Sequence, residues 1–140
     1  MIDGLPATAE ALLDDFDLFD DWEDRYSYLV DLGRRLPPLP DTLKTDQHKV
    51  QGCMSQVWFV REDRGDERLH WKGDSDAAIV RGLIAVLQVL YEGKRFDEAE
   101  AIDVEGVFRS MGLERHLTIN RRNGFFSMVS KLREFAAAEA

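Results

Sequence analysis

The sequence predicts an α+β fold, a small three-stranded antiparallel sheet with helices packed against it, and three observations support that expectation. Three short runs of strand character follow one another in mid-chain, His48 to Gln51, Gln56 to Arg61 and Arg68 to Lys72, each bounded by polar or glycine-containing turns. The next run, Ala77 to Tyr91, is apolar on most faces (Ile79, Val80, Leu83, Ile84, Val86, Leu87, Val89, Leu90) and must be buried on most faces, which makes it the central helix against the sheet. A chain of 140 residues with 44% hydrophobic residues and 4 prolines suits one domain built on a single core.

The elements follow in order. Thr8 is placed to cap a short helix reaching about Phe16. A longer helix runs from near Asp20 to Arg35, with Trp22, Tyr26, Leu29, Val30 and Gly33 at helical spacing, and Pro37, Pro38 and Pro40 stop it. Its acidic start and the late Arg34 and Arg35 match the helix dipole, so the acidic face is expected to be a solvated helix start rather than a binding patch. Gly52 to Ser55 turns the first strand into the second, and the polar segment Glu62 to Glu67, with Gly65, forms a hairpin loop to the third. Gly93 ends the central helix as its C-terminal cap. Two further helices cover Val104 to Met111 and about Ile119 to Ala138, the second turning Phe125, Met128, Val129, Leu132 and Phe135 inward.

Charge and composition exclude several functions. Nine of the 27 carboxylates precede the first basic residue, Arg25, so the net charge of -9 resides in the leading segment and the remainder is balanced. Phosphate-backbone binding needs clustered Lys and Arg, so nucleic acid is not an expected partner. Met1-Ile2-Asp3 lacks the basic start of a signal peptide, and the longest apolar run falls far short of the ~20 residues that span a bilayer, so no membrane association is expected. With a single cysteine, the chain is expected in the cytoplasm with that thiol reduced.

No glycine-rich phosphate loop, nucleotide fingerprint or paired metal-ligand spacing occurs. His48, His70 and His116 are scattered and are expected at the surface or at edges rather than as ligands, so no metal site is expected. Cys53, in "VQGCMSQVWFV", lies on a loop in a polar, flexible surround of Gln51, Gly52, Ser55 and Gln56. The residues alone leave two alternatives open: a small buried hydrophobe, or a chemically used thiol. A Cys-His hydrolase would take its base from His48, five residues upstream, but no orienting carboxylate or oxyanion hole is evident. Trp58 and Phe59 point to opposite sheet faces, so at most one could line a pocket at the sulfur, and core packing is the simpler role for each. Asp74, Ser75 and Asp76 precede the central helix, where capping alone would account for them. Thr118 is a candidate N-cap of the last helix, which puts Arg121 and Arg122 in its first turn, where positive charge opposes the dipole by ~0.3 to 1 kcal/mol.

The stretch "QGCMSQVW" resembles the SufE family, which includes the closely similar CsdE proteins, and the likeness continues in "GDSDAAIVRGLIAVL", Gly73 to Leu87, and in "LTINR", Leu117 to Arg121. The resemblance implies a three-stranded antiparallel sheet with helices packed largely on one side, similar to that of IscU scaffolds. It implies that Cys53 accepts sulfur as a persulfide from a SufS/CsdA-type cysteine desulfurase and passes it to an iron-sulfur scaffold. The pyridoxal phosphate is then the partner's, and this chain, a monomer or weak homodimer, holds no cofactor. The same resemblance places Asp74, Ser75 and Asp76 close to the cysteine loop, with loop restraint as a second role, and Arg121 in a partner-facing segment. An ordinary thiol, of pKa ~8.5, is only a few per cent thiolate at neutral pH, so the loop must move between shelter and exposure, and Gly52 supplies the backbone freedom. The alternative is a scaffold-like cluster binder, but clusters generally take several thiolates and this chain offers one.

Overall fold

The computed structural model describes residues 4–137. Ala138, the expected end of the last helix, lies outside them. Thr8 Oγ1 accepts from the Ala11 N–H at 3.1 Å and opens α1 (Ala9–Asp17); Asp21 accepts from the Asp24 N–H at 2.9 Å and opens α2 (Trp22–Arg34). Two single 3-10 turns, Asp41–Leu43 and Asp46–His48, lead to a hairpin of β1 (Val57–Glu62) and β2 (His70–Ser75). Then come α3 (Ala78–Tyr91), α4 (Phe96–Glu100), α5 (Val104–Ser110), α6 (Leu113–His116) and α7 (Ile119–Ala137). α3 ends at its C-cap Glu92; Gly93, the expected cap, follows at φ +75° but donates its N–H to the Leu69 carbonyl at 2.7 Å rather than to α3. The pieces α4 and α6 are too short for hydrophobic periodicity to reveal.

The sheet has two strands, not the three expected. β1 and β2 pair antiparallel from Val57 opposite Ser75 to Glu62 opposite His70. The run His48 to Gln51 is consumed from both ends, by the 3-10 turn up to His48 and by a turn at Gln51 and Gly52. What remains is one bridge, Lys49 opposite Trp58, and the Val50 N–H donating to the Val57 carbonyl at 2.8 Å. The hairpin is also shifted along the chain. Arg68 and Leu69 pair with the segment after α3, the Leu69 N–H donating to the Lys94 carbonyl at 2.8 Å, so β2 begins later and extends through Asp74 and Ser75.

α3 packs between α2 and the sheet. Its crossing with α2 is close because both helices present glycine there: a Cβ on Gly33 would lie 2.6 Å from the Gly82 nitrogen, and one on Gly82 would collide with the Leu29 carbonyl. The core joins Leu29 and Leu32 of α2, Ile84 and Leu87 of α3, Phe59 and Trp71 of the hairpin, and Phe125 and Leu132 of α7. Each large apolar side chain so buried contributes roughly 1.5 to 3 kcal/mol. Gln88, the polar exception on the buried face of α3, donates to the Trp71 carbonyl at 2.8 Å and ties the helix to β2.

His70, expected at the surface or at an edge, stands at the end of a strand of the two-stranded sheet but is buried there. It begins β2, is 6% exposed, and has Nδ1 2.6 Å from Glu92 and Nε2 2.6 Å from Asp66. A neutral imidazole owns one N–H and can serve only one of two carboxylates, so this clamp between the hairpin loop and the end of α3 belongs to the imidazolium. Burial opposes the charge, the hydrogen bonds with Glu92 and Asp66 outweigh it, and the pKa is raised above the usual histidine value. The stability it contributes is therefore complete below ~6.5, the unfolded value, and is lost as pH rises through the higher folded value. In urea unfolding, His70→Gln is expected to fall furthest behind wild type at acid pH and to approach it in base. A gap independent of pH would mean that no charge is held there.

Candidate functional site

The site is built around the loop 51–56, held at both ends. At its start, Gly52 has φ +89°, a conformation other residues rarely adopt, and a Cβ there would sit 2.5 Å from the Ser127 hydroxyl of α7. At its end, the Gln56 N–H donates to Asp76 Oδ1 at 3.1 Å while the Asp76 N–H donates to the Gln56 carbonyl at 3.3 Å. Between these anchors Cys53 is half-buried, and its S–H donates to the Gly124 carbonyl at 3.5 Å. Burial pushes the thiol pKa up, so in this position the sulfur is held as S–H.

Beside the sulfur lies a cavity of about 300 Å³. Cys53, Met54 and Ser55 of the loop form one wall; Val57 of β1, Val80 and Leu83 of α3, and Phe125 and Met128 of α7 supply apolar surface; Thr118, Asn120 and Arg121 supply the polar rim. Met54 is 81% exposed next to the half-buried thiol, so the loop offers a large apolar side chain outward while its sulfur faces inward.

The structure thus brings Cys53, Ser55 and Arg121 to one cavity, with Gly52 and Gln56 shaping the loop that carries them. Asp74, Ser75 and Asp76 do not cap α3, whose N-cap is Ala77 with no side-chain acceptor. Asp74 is instead 1% exposed at the end of β2, Ser75 Oγ accepts from the Ala77 N–H at 3.2 Å, and of the three only Asp76 bonds to the cysteine loop. Capping lost because β2 runs on through Asp74 and Ser75, and the buried Asp74 carboxylate is claimed by Arg81. Neither Trp58 nor Phe59 lines the cavity: Lys44 lies 5.6 Å over the Trp58 ring, and Phe59 packs on Trp71 with centroids 4.7 Å apart. His48 is turned to the Leu43 carbonyl, 2.9 Å from Nδ1.

Sequence reasoning missed Gly124, Val80 and Leu83. Gly124 carries a legible signal, since an interior helical glycine costs about 1 kcal/mol against alanine and calls for a packing reason. The apolar wall has none, because its side chains look like core. Among the described residues no group of three or more His, Cys, Asp and Glu is arranged to hold a metal ion, and no helix is long and apolar enough to cross a membrane.

Residues 10–136 match the family model described as SufE, an Fe-S metabolism associated domain. An uncharacterized SufE-like protein of Rhizobium etli is 44% identical over 137 residues, which cover 96% of this chain and 93% of that protein. A second uncharacterized SufE-like protein, of Rhizobium meliloti, is 43% identical over 130 residues, 91% of this chain and 93% of that protein. The solution structure of a hypothetical protein from Thermus thermophilus has the same fold at 19% identity, with a TM-score of 0.75 over 96% of this chain and 97% of that one. The family model and both relatives span nearly the whole sequence, the cysteine loop included: the chain belongs to the SufE family.

Proposed function

We propose that this protein is a cytoplasmic sulfur acceptor and activator for a cysteine desulfurase, with Cys53 the residue that takes the sulfur. The observation that carries this is the only thiol of the chain, half-buried on a two-anchored loop at the wall of a cavity with an apolar floor. The family's association with Fe-S metabolism supplies the context. In the transfer, Cys53 loses its proton and attacks the outer sulfur of a persulfide on the partner's cysteine. A new S–S bond forms at Cys53, the partner's S–S bond breaks, and the partner leaves as a thiolate; no net oxidant is consumed. The sulfane sulfur then moves to an iron-sulfur scaffold by the same exchange. The pyridoxal phosphate that releases the sulfur from free cysteine resides on the desulfurase.

The test is incubation with a purified cysteine desulfurase and free cysteine, followed by intact mass analysis. One or more sulfur atoms are expected on Cys53, removed by reductant, together with faster desulfurase turnover. No sulfur on Cys53 and no change in turnover with any candidate desulfurase would overturn the proposal. A brown protein absorbing in the visible would favour a cluster-binding scaffold instead.

Arg121 is the docking cation in this proposal. It is exposed on the cavity rim, it has no ion pair within 4.0 Å among the described residues, and it stands in the first turn of α7, where Thr118 Oγ1 accepts its N–H at 3.2 Å. Positive charge there works against the helix dipole, so Arg121→Glu is expected to leave the melting temperature unchanged or slightly raised, by an effect of ~0.3 to 1 kcal/mol. The same change is expected to weaken desulfurase binding and stimulation, with added salt narrowing the difference. Wild-type stimulation by the variant at low salt would remove Arg121 from the interface.

A further inference from the structure

The cysteine loop rests on one face of α7, and the two residues beneath it are small. The three atoms nearest a Cβ built on Gly124 all belong to Cys53: Sγ at 3.6 Å, Cα at 3.8 Å and Cβ at 3.9 Å. One turn further along, the Ser127 hydroxyl lies 2.5 Å from where a Cβ on Gly52 would be. The Gly124 carbonyl accepts the Cys53 S–H at 3.5 Å. Glycine inside a helix carries a stability penalty, and here a methyl in its place would just touch the cysteine, so only a side chain larger than alanine would take the space that the cysteine occupies.

We propose that Gly124 is the positioning residue for Cys53: its carbonyl takes the S–H and the lack of a bulky side chain leaves the loop its seat, which keeps the unloaded sulfur sheltered as a thiol, while a sulfur-loaded Cys53 leaves that seat. The purpose of the seat rests on the sulfur-acceptor proposal. Its geometry does not.

A carbonyl oxygen only accepts hydrogen bonds, so it favours S–H and opposes a thiolate, in the same direction as burial. Loading replaces the hydrogen on Sγ by sulfur. The bond to Gly124 then has no donor, and an ionised terminal sulfur is repelled by the same carbonyl. The adjoining 300 Å³ cavity, with Arg121 on its rim, has room for the added atom.

The experiment needs no desulfurase. Alkylation of Cys53 by iodoacetamide is followed against pH in wild type, Gly124→Ala and Gly124→Leu, with circular dichroism and melting temperature as controls. The alanine methyl reaches Sγ at ordinary van der Waals distance, so Gly124→Ala is expected to keep the wild-type midpoint, above that of a free cysteine, with an equal or higher melting temperature. The leucine side chain cannot share the space. Gly124→Leu is expected to lower the midpoint toward ~8.5 and to speed alkylation at neutral pH about threefold for each unit of that shift, because the gain in thiolate is partly offset by its lower nucleophilicity. A folded Gly124→Leu with the wild-type midpoint and rate overturns the seat.

Wild type loaded with inorganic polysulfide gives a second measurement that stands if the leucine variant misfolds. The Cys53 thiolate attacks a polysulfide sulfur and displaces a shorter polysulfide, which carries away the electron pair. The backbone amide resonances of residues 51–56 and 124–127 are expected to shift on loading and to return on reduction, and unshifted resonances in a protein of confirmed added mass overturn the proposal. Because both measurements use small reagents, the seat can stand if desulfurase transfer fails, and the transfer can stand if the seat fails.

Discussion

Cys53→Ser is expected to abolish sulfur uptake and desulfurase stimulation while secondary structure and melting temperature stay at wild-type values. The substitution is nearly isosteric, and the serine hydroxyl can donate to the Gly124 carbonyl as the thiol does at 3.5 Å. The loop anchors at Gly52 and at Gln56–Asp76 do not involve the side chain, so the loop keeps its place. What changes is the nucleophile. A hydroxyl is not ionised at neutral pH and forms no persulfide, whereas even a thiol with its pKa raised by burial yields thiolate once the loop opens. Intact mass after incubation with desulfurase and cysteine, with circular dichroism at equal concentration, checks both halves of the expectation. Full stimulation by the serine variant would end the proposal that Cys53 accepts sulfur, whatever its effect on binding.

Arg81→Ala is expected to cost about 3 to 5 kcal/mol, the largest single loss of stability outside the apolar core, because it leaves a buried carboxylate without its main counter-charge. Arg81 ion-pairs with Asp74 through Nη1, donates to the Leu36 carbonyl from Nη2 at 2.8 Å, and donates to the Gly33 carbonyl from Nε at 3.2 Å. One guanidinium thus joins the end of α2, the segment after it, and β2. Asp74 also accepts from the Leu39 and Ser75 N–H groups at 3.0 and 2.8 Å, and the remaining cation, Lys44, is 3.7 Å away. Asp74 cannot escape by exposure, since it is 1% accessible. Urea unfolding measures the loss. Arg81→Met combined with Asp74→Leu is expected to recover much of it, because an apolar pair of similar size removes the uncompensated charge. A loss under ~1 kcal/mol for Arg81→Ala would mean that water or Lys44 already serves Asp74, as exposed ion pairs are served.

Most of what acts over a few residues was decided by the sequence alone. Thr8 and Thr118 cap the helices expected of them, Gly93 takes the left-handed turn just after α3, and the burial of α3 follows from its all-round apolar surface. Cys53 on a loop was legible too, because a lone cysteine beside Gly52, Ser55 and Gln56 stands out locally and the blocks around it resemble the SufE family. Tertiary structure alone decided the rest. His48 to Gln51 has strand composition, but a 3-10 turn before it and a glycine turn after it left one bridge to Trp58. Asp74 has the composition of a cap, yet its partners are Leu39, far earlier in the chain, and Arg81, a later residue of α3. The cavity draws Val57, Val80, Leu83, Phe125 and Met128 from three elements, and an apolar side chain bordering a void has the same chemistry as one filling the core. Caps and turns are satisfied by hydrogen bonds within about four residues, so sequence carries them. Strand pairing, buried charge and empty space depend on which distant surfaces meet, and only the packed chain determines that.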